Sequence, residues 1–341
     1  MKEQMNLSNK RRQSGMGLVE IMVALVIGLV ASLVIFQTLR DSGHRAALTT
    51  TGGDVQTSGS LGLFYLERNV RQAGWGFTAQ DSSSGAADAV NCNTGTLNMR
   101  PLVIAQGAVN ASDTVSIIYG NSPRFTGAGS YTGTGNAITT RQRPGFVPGE
   151  EVLLVSGANC VKTTVLTAPA TGTGMTLAAN VPATTGAIYN LGNAPMREEW
   201  RINAGGLQFR QFNWAANVFG ADNAVADDVV GMQARYFVGT TNTCVDAAPA
   251  NWRDVEGLCV SLLLRSKHFD KDYQAPAIAF NLPGWVVASW VADFGLLNPD
   301  GTAYSCPGTG VNASADKGCN YRYEVFSKVI PLRNLLWGNA A

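Results

Sequence analysis

The chain has 341 residues, with 25 Lys plus Arg against 24 Asp plus Glu, so its formal charge is only +1. A nucleic-acid-binding protein usually shows a strong basic excess, and this chain has none. Charged residues make up 14% of the sequence and apolar residues 45%, with 38 glycines. This composition disfavours both a disordered chain and a highly charged cytosolic enzyme, and it favours a β-rich extracytoplasmic protein.

The amino-terminal segment combines a short basic head with a long apolar run. Residues 1–15 carry a net charge of +3, and the 24 residues from Met16 to Leu39 contain one charged residue, Glu20. As a helix this run would be about 36 Å long at 1.5 Å per residue, enough to cross a bilayer core of roughly 30 Å. The basic head predicts a cytoplasmic amino terminus, and the segment lacks the small-x-small site of a cleaved signal peptide.

Two residues distinguish this segment from a simple membrane anchor. Gly15 lies where the basic head meets the apolar run, and Glu20 follows five positions later. An acidic residue inside a membrane helix costs about 2.5–3.5 kcal/mol at the centre, less near the interface. A partner charge is therefore expected, and cleavage after Gly15 would supply one as the free amine of Met16 on a neighbouring copy.

The sequence from Arg11 to Glu20 resembles the class III leader of type IV prepilins. The resemblance implies cleavage after Gly15 by the inner-membrane prepilin peptidase, followed by N-methylation of Met16. Glu20 then occupies the fifth position of the mature chain. Met16 departs from the pattern, because most major pilins carry Phe there, whereas minor pilins accept other apolar residues.

The segment after Leu39 is polar and then regains helical periodicity. Gly52, Gly53 and Gly59 weaken a continuous helix. Beyond them, Leu63, Leu66 and Val70 recur at intervals of three and four residues and predict one buried helix face, with Gly74 as the helix stop. Two alternatives remain at this stage: one long helix, or two helices separated by a loop at Gly52–Gly53.

The rest of the chain predicts short strands. Candidate strands between residues 75 and 200 are Leu102–Ala105, Thr114–Tyr119, Glu151–Ser156 and Val161–Leu166, whereas the Gly-, Ser- and Thr-rich stretch from Thr126 to Asn136 is predicted as a loop. Later segments alternate in polarity. The predicted buried faces are Val230, Met232, Ala234, Tyr236 and Val238; Leu258, Val260, Leu262 and Leu264; and Tyr321, Tyr323, Val325 and Val329. This alternation gives each strand one buried and one solvent-exposed face. It predicts an antiparallel sheet packed against a helix, which is an α+β fold.

Four later segments are similar to PilW-type minor pilins: the end of the long helix at Leu66–Trp75, and Asp228–Tyr236, Leu262–Ser266 and Val325–Asn334 in the globular part. Their order along the chain carries the resemblance, which is poor over residues 77–200. It implies a type IV pilin-like fold, with a leader at 1–15, a long helix at 16–74 that spans the membrane at 16–39, and a β-rich periplasmic domain at 75–341.

The sequence contains no recognisable catalytic or cofactor motif. G-x-S-x-G, G-x-x-x-x-G-K-[ST] and H-E-x-x-H are absent, and the two histidines, His44 and His268, stand apart. Asp270, Asp272 and the turn Asn298–Gly301 could donate oxygen ligands to calcium, although solvated turns are the better interpretation. We therefore expect no enzyme activity, no cofactor and no metal.

Six cysteines outside the predicted membrane segment indicate disulfides. None forms a C-x-x-C pair, which disfavours zinc or thioredoxin-like chemistry. Six cysteines allow fifteen pairings. Short loops favour Cys244–Cys259 and Cys306–Cys319, which leaves Cys92–Cys160.

These observations predict a minor pilin that is stored in the inner membrane and then inserted into a fibre at the cell surface. By resemblance, its partners are the prepilin peptidase, other minor pilins, the major pilin and a large adhesin-like protein near the pilus tip, where it helps to start assembly. The alternatives are a type II secretion minor pseudopilin, which shares the leader and overall design, a membrane-anchored adhesin or binding module, and, least favoured, an anchored enzyme.

Overall fold

The computed structural model describes residues 17–78, 89–94, 97–107, 111–123, 129–140, 145–168, 173–267 and 321–339. The chain divides into two compact units, one ending at Thr51 and the other beginning at Gly52. The first unit contributes only helix to the described residues. The second contains every β-strand and the remaining helical segments.

The longest element is helix α1, Leu18–Val70, which is 53 residues long. It runs without interruption through Gly52 and Gly53, so the alternative with a loop at these residues is not the one that forms. Residues 71–77 are turns, and Gly74 adopts a left-handed φ of 81°. The helix thus ends four residues before the predicted stop, and the glycine shapes the turn that follows it.

The first sheet has six antiparallel strands. Its order is β1-β2-β9-β10-β11, and β12 pairs with β10 on the same edge as β11. The strands are β1 (Leu102–Ala105), β2 (Thr114–Tyr119), β9 (Met196–Asn203), β10 (Gly206–Asn213), β11 (Val218–Phe219) and β12 (Asn223–Asp227). Leu102–Ala105 and Thr114–Tyr119 have the predicted bounds.

The second sheet has four antiparallel strands in the order β14-β13-β15-β16. They are β13 (Val229–Val238), β14 (Thr243–Val245), β15 (Val255–Arg265) and β16 (Tyr323–Pro331). A seven-residue helix, α2 (Arg333–Asn339), follows β16. Asp113 joins the two sheets, because its carboxylate accepts hydrogen bonds from the backbone N–H groups of Gly107 at 2.8 Å and Ala234 at 2.7 Å.

Between β2 and β9 the chain forms a closed six-stranded barrel with its own apolar core. The strand order is β3-β4-β7-β6-β5-β8, and all pairs are antiparallel. The strands are β3 (Gly129–Thr134), β4 (Ala137–Thr140), β5 (Glu151–Ser156), β6 (Asn159–Thr167), β7 (Gly174–Leu177) and β8 (Thr185–Gly192). The predicted strands at 151–156 and 161–166 correspond to β5 and β6.

The barrel corrects two predictions. Thr126–Asn136 is not a loop throughout, because β3 lies within it. The globular part is also not one antiparallel sheet beside a helix, since it holds two open sheets and a barrel. The broader prediction, an apolar amino-terminal helix with an antiparallel β-rich globular part, is confirmed.

The predicted buried faces of β13 and β15 are correct except at Val230, which is only partly buried at a register irregularity between Val229 and Gly231. The predicted solvent-exposed faces are wrong. Met232 pairs with Leu262 and Ala234 with Val260, and all four lie in the main core. On the opposite face, Gln233 and Leu263 are also buried. These two strands are the central pair of the sheet, and other described residues cover both of their faces.

The predicted buried face around β16 is correct at Tyr321, which is 8% exposed, and wrong at Val329. Val329 is 41% exposed, whereas its neighbour Ile330 is completely buried. Phe326, which alternation places on the same face as Ile330, packs against the main core. Apolar residues occur on both faces of this strand, so alternation alone does not identify the buried face. Contact with the rest of the fold decides which face is buried.

Candidate functional site: the amino-terminal helix and its attachment to the sheets

The first part of α1 is an apolar surface that none of the described residues buries. Leu18–Gly43 is long and apolar enough to cross a membrane, and it is the one such span among the described residues. Every large hydrophobic side chain from Leu18 to Leu39 is exposed. The hydroxyls of Ser32 and Thr38 donate to the carbonyls of Gly28 and Val34, each at 2.8 Å, so these polar groups are satisfied inside the helix.

Glu20 lies in the first turn of α1, and its side chain is exposed. Its backbone N–H donates to the carbonyl of Gly17 at 2.9 Å. A carboxylate is favoured there by the positive end of the helix dipole. Gly15 and Met16, the predicted cleavage and methylation positions, lie outside the described residues, so both modifications stay predictions.

The second part of α1, from Gly52 to Val70, is attached to the sheets by close packing. A Cβ atom on Gly59 would lie within 3 Å of the Phe326 ring, and one on Gly62 would lie 3.3 Å from Leu207 and from Ala226. The helix backbone therefore approaches the sheets at two positions where the residue is glycine. Sequence reasoning treated Gly59 as a helix breaker, and the structure gives it a packing role instead.

A buried carboxylate fastens the same helix segment to the first sheet. Glu198 of β9 is 3% exposed, and its oxygens accept hydrogen bonds from the Asn69 amide at 2.8 Å and the Tyr119 hydroxyl at 3.0 Å. The Trp200 indole N–H donates to it at 3.3 Å. Burial, together with the adjacent Glu198 carboxylate, raises the pKa of Tyr119, which keeps the phenol protonated as a donor.

An ion-pair network on the helix surface adds a contact to the second sheet. The Lys328 ammonium of β16 lies 2.5 Å from a carboxylate oxygen of Glu67, which also pairs with Arg71. Lys328 is partly exposed, so this pair orients the strand more than it stabilises the fold.

The end of α1 is closed by a side chain from the carboxyl-terminal helix. The amide nitrogen of Asn334 donates to the backbone carbonyls of Arg71 at 3.3 Å and of Gln72 and Ala73 at 3.0 Å. In return, the Thr78 hydroxyl donates to the carbonyl of Asn334 at 2.9 Å. Helix ends leave carbonyls without intrahelical partners, and Asn334 supplies donors to this end.

Two of the expected disulfides are present. Cys92 is bonded to Cys160 of β6, and Cys244 of β14 to Cys259 of β15. The first fastens the barrel to a segment of the main core outside it. The second joins two strands that flank β13 on opposite sides.

Several predicted features fall outside the described residues. These are the pairing Cys306–Cys319, His268, and the candidate calcium ligands Asp270, Asp272 and Asn298–Gly301. Among the residues that are described, no group of three or more His, Cys, Asp or Glu could hold a metal ion.

Sequence reasoning missed an exposed apolar stripe on the second part of α1. Leu61, Phe64 and Tyr65 are 41%, 58% and 39% exposed, and the rings of Phe64 and Tyr65 contact each other edge to face. Residues three and four positions apart share a helix face. The helical spacing of Leu61, Phe64 and Tyr65 was the signal in the sequence for this second apolar face.

Comparison with known proteins agrees with the amino-terminal features. Residues 10–36 match the model of the prokaryotic N-terminal methylation motif. A solved type IV-like pilin from Thermus thermophilus is 15% identical, with 55% of this chain and 85% of the pilin covered and a TM-score of 0.26. A comparison with curated proteins gave no match.

The match over residues 10–36 identifies a prepilin-type methylation motif at the amino terminus. The motif overlaps the apolar helix, which begins at Leu18, and β-rich antiparallel structure follows later in the chain. This arrangement is the one that the sequence analysis predicted for a type IV pilin or pseudopilin. A motif of this kind is typical of chains that prepilin peptidase processes and that assemble with pilins.

Proposed function

We propose that this chain is a minor pilin of the PilW type, which takes part in the initiation of type IV pilus assembly and lies near the fibre tip. The observation that carries the proposal is the exposed apolar helix Leu18–Leu39, with Glu20 as its one charged residue. Such a surface requires lipid before assembly and the helices of other subunits after it. The ordered resemblance of four segments to PilW-type minor pilins supports the finer assignment.

In this proposal, cleavage after Gly15 frees the amine of Met16 and makes Glu20 the fifth residue of the mature chain. The Glu20 carboxylate pairs with the amine of a neighbouring subunit in an environment of low dielectric, where the attraction between charges is stronger than in water. The chain crosses the inner membrane once, and its globular part in the periplasm contacts other minor pilins and an adhesin-like tip protein. Its role is structural, with no catalysis and no cofactor.

The test begins with deletion of the gene and imaging of surface fibres. Fibres should be lost or strongly reduced, whereas a secretion pseudopilin would leave fibres intact and block the release of secreted proteins. Unchanged fibres and unchanged secretion would favour a membrane-anchored binding module and refute the assembly role.

Glu20→Ala then tests the mechanism in the complemented strain. The variant should insert in the membrane and be processed, but its amount in sheared fibres should fall. Ser32→Ala is the matched control, because it also removes a polar group from the apolar segment, yet that group bonds only within its own helix. Wild-type amounts of the Glu20 variant in fibres, with normal fibre number, would refute charge pairing.

A further inference from the structure

A cleft lies in the globular unit between the end of α1, the end of β2 and helix α2. Its volume is about 400 Å³, and its lining includes Arg71, Trp75, Gly120, Arg333 and Trp337. None of the described residues that line it is acidic. A volume in this range suits a small ligand, because ligand sites typically measure roughly 300–1,000 Å³.

Two indoles give the cleft flat apolar surfaces. Trp337 of α2 is 66% exposed, and its ring has no aromatic or cationic partner among the described residues. Trp75 is held in place, since its indole N–H donates to the carbonyl of Ser122 at 3.2 Å and its carbonyl accepts from the N–H of Gly120 at 2.8 Å. One aromatic surface is thus fixed and the other is open to solvent.

Two guanidinium groups give the cleft its charge. Arg333 is exposed and has no ion-pair partner in the described part of the chain. Arg71 pairs with Glu67 through one nitrogen, but its Nε is buried and has no hydrogen-bond partner. Because Glu67 also binds Lys328, one carboxylate is shared by two cations, and the cleft keeps a positive charge. Guanidinium groups bind carboxylates through paired hydrogen bonds.

Glycine at position 120 keeps the cleft wall at its observed position. A Cβ there would lie 2.7 Å from the carbonyl oxygen of Leu191 and 3.0 Å from that of Trp75. A side chain at position 120 would therefore push the backbone at Trp75 away from the backbone at Leu191, near the end of β8.

We propose that this cleft binds an acidic saccharide, a sugar ring that carries a carboxylate. The C–H face of a pyranose stacks on an indole, and the carboxylate meets the guanidinium groups of Arg71 and Arg333. A simple anion would not use the indoles, and a neutral sugar would not use two guanidinium groups. This binding activity is separate from the assembly role and does not depend on it.

The test uses the full chain purified in detergent and titrated with D-glucuronate, followed by tryptophan fluorescence and calorimetry. Saturable binding in the millimolar range is expected, with D-glucose and acetate each at least about tenfold weaker, equivalent to about 1.4 kcal/mol. Trp337→Ala and Arg333→Gln should each weaken glucuronate binding by at least about tenfold. Both side chains are exposed on α2, so neither change removes a core contact. Phe64→Ala, a similarly exposed aromatic residue outside the cleft, is the matched control and should leave binding unchanged.

Each other outcome overturns the proposal. If acetate bound as tightly as glucuronate, the cleft would be a simple anion site. If glucose bound as tightly as glucuronate, the two arginines would have no role in recognition. Binding of a glutamate-rich peptide, lost in the same two variants, with no glucuronate binding would assign the cleft to a protein partner. No saturable glucuronate binding, or binding unchanged in both variants, would show that the cleft takes no acidic sugar.

Discussion

Asn334 should contribute more to stability than its position near the carboxyl terminus suggests. Its side chain is 9% exposed and lies within 3.0–3.3 Å of three carbonyl oxygens at the end of α1. The amide has two protons, so two hydrogen bonds are complete at a time. Among the three acceptor residues Ala73 is buried, whereas Gln72 is exposed and its carbonyl also accepts a hydrogen bond from the N–H of Trp75 at 3.0 Å, so the Gln72 carbonyl is not left unsatisfied without Asn334.

The cost of Asn334→Ala follows from this difference. An unsatisfied buried carbonyl costs roughly 1–3 kcal/mol, and a lost hydrogen bond that water can replace costs roughly 1 kcal/mol or less. The variant should therefore lose about 1–4 kcal/mol in the free energy of unfolding. Guanidinium denaturation of the full chain in detergent measures this value, with tryptophan fluorescence for the globular unit. Gln72→Ala is the control, because its side chain is exposed in the same turn.

A second substitution separates hydrogen bonding from packing. Asn334→Asp keeps the shape but places a carboxylate beside three carbonyl oxygens, so near neutral pH it should destabilise at least as much as alanine. Near pH 4, about the ordinary pKa of an aspartic acid, part of this side chain is protonated and can donate again. The aspartate variant should then regain stability relative to the alanine variant as the pH falls. A loss below about 0.5 kcal/mol for Asn334→Ala, the size of an ordinary surface substitution, would refute the capping role.

The remaining predictions concern packing, processing and disulfides. Gly62→Val should lower the free energy of unfolding by about 1–3 kcal/mol, because a Cβ at this position meets side chains of the sheets. Gly52→Ala should stabilise the helix slightly, because a Cβ there has nothing within 4 Å. Thermal unfolding of the two variants measures both effects. Gly15→Val should leave the chain uncut, which mass spectrometry would detect as a product longer by residues 1–15, and a wild-type chain that does not begin at Met16 would reject the leader assignment. Exported protein should contain a Cys306–Cys319 bond and no free thiols, and peptide mapping with a different partner for Cys306 would reject that pairing.

Features encoded by local periodicity were predictable from the sequence. The apolar run from Met16 to Leu39 predicts a helix that lipid can surround. The helical spacing of Leu66 and Val70 predicts the helix face that is buried in the structure. The buried even-numbered residues of β13 from Met232 to Val238, and those of β15 from Leu258 to Leu264, were predictable for the same reason, since alternation places them on one face. Val230 was not, because the register is irregular there. Loop length also favoured the Cys244–Cys259 disulfide, which spans 15 residues.

Features that depend on distant contacts were not predictable. Strand β3 has the sequence Gly-Ser-Tyr-Thr-Gly-Thr, in which Tyr131 is the one large apolar side chain, so its composition is that of a loop. It becomes a strand because β4 and β8 pair with its two edges. The cap by Asn334 likewise requires a residue more than 260 positions from its acceptors, and no local pattern marks it.

The barrel is placed where an insertion disturbs the fold least. β2 and β9 pair directly, with Tyr119 opposite Met196, so the first sheet is complete without the 76 residues between them. Two hydrogen bonds join the two ends of the insertion where it leaves and re-enters the first sheet. The N–H of Asn121 donates to the carbonyl of Leu191 at 2.8 Å, and the Asn121 side chain accepts from the N–H of Ala194 at 2.9 Å. A closed barrel has no free strand edges, so it adds surface to the first sheet without creating an edge on which another chain could add a strand. The barrel lies within residues 77–200, where the resemblance to PilW-type minor pilins is poorest, and it can vary while the packing of α1 on the sheets and the cap at the end of α1 stay the same.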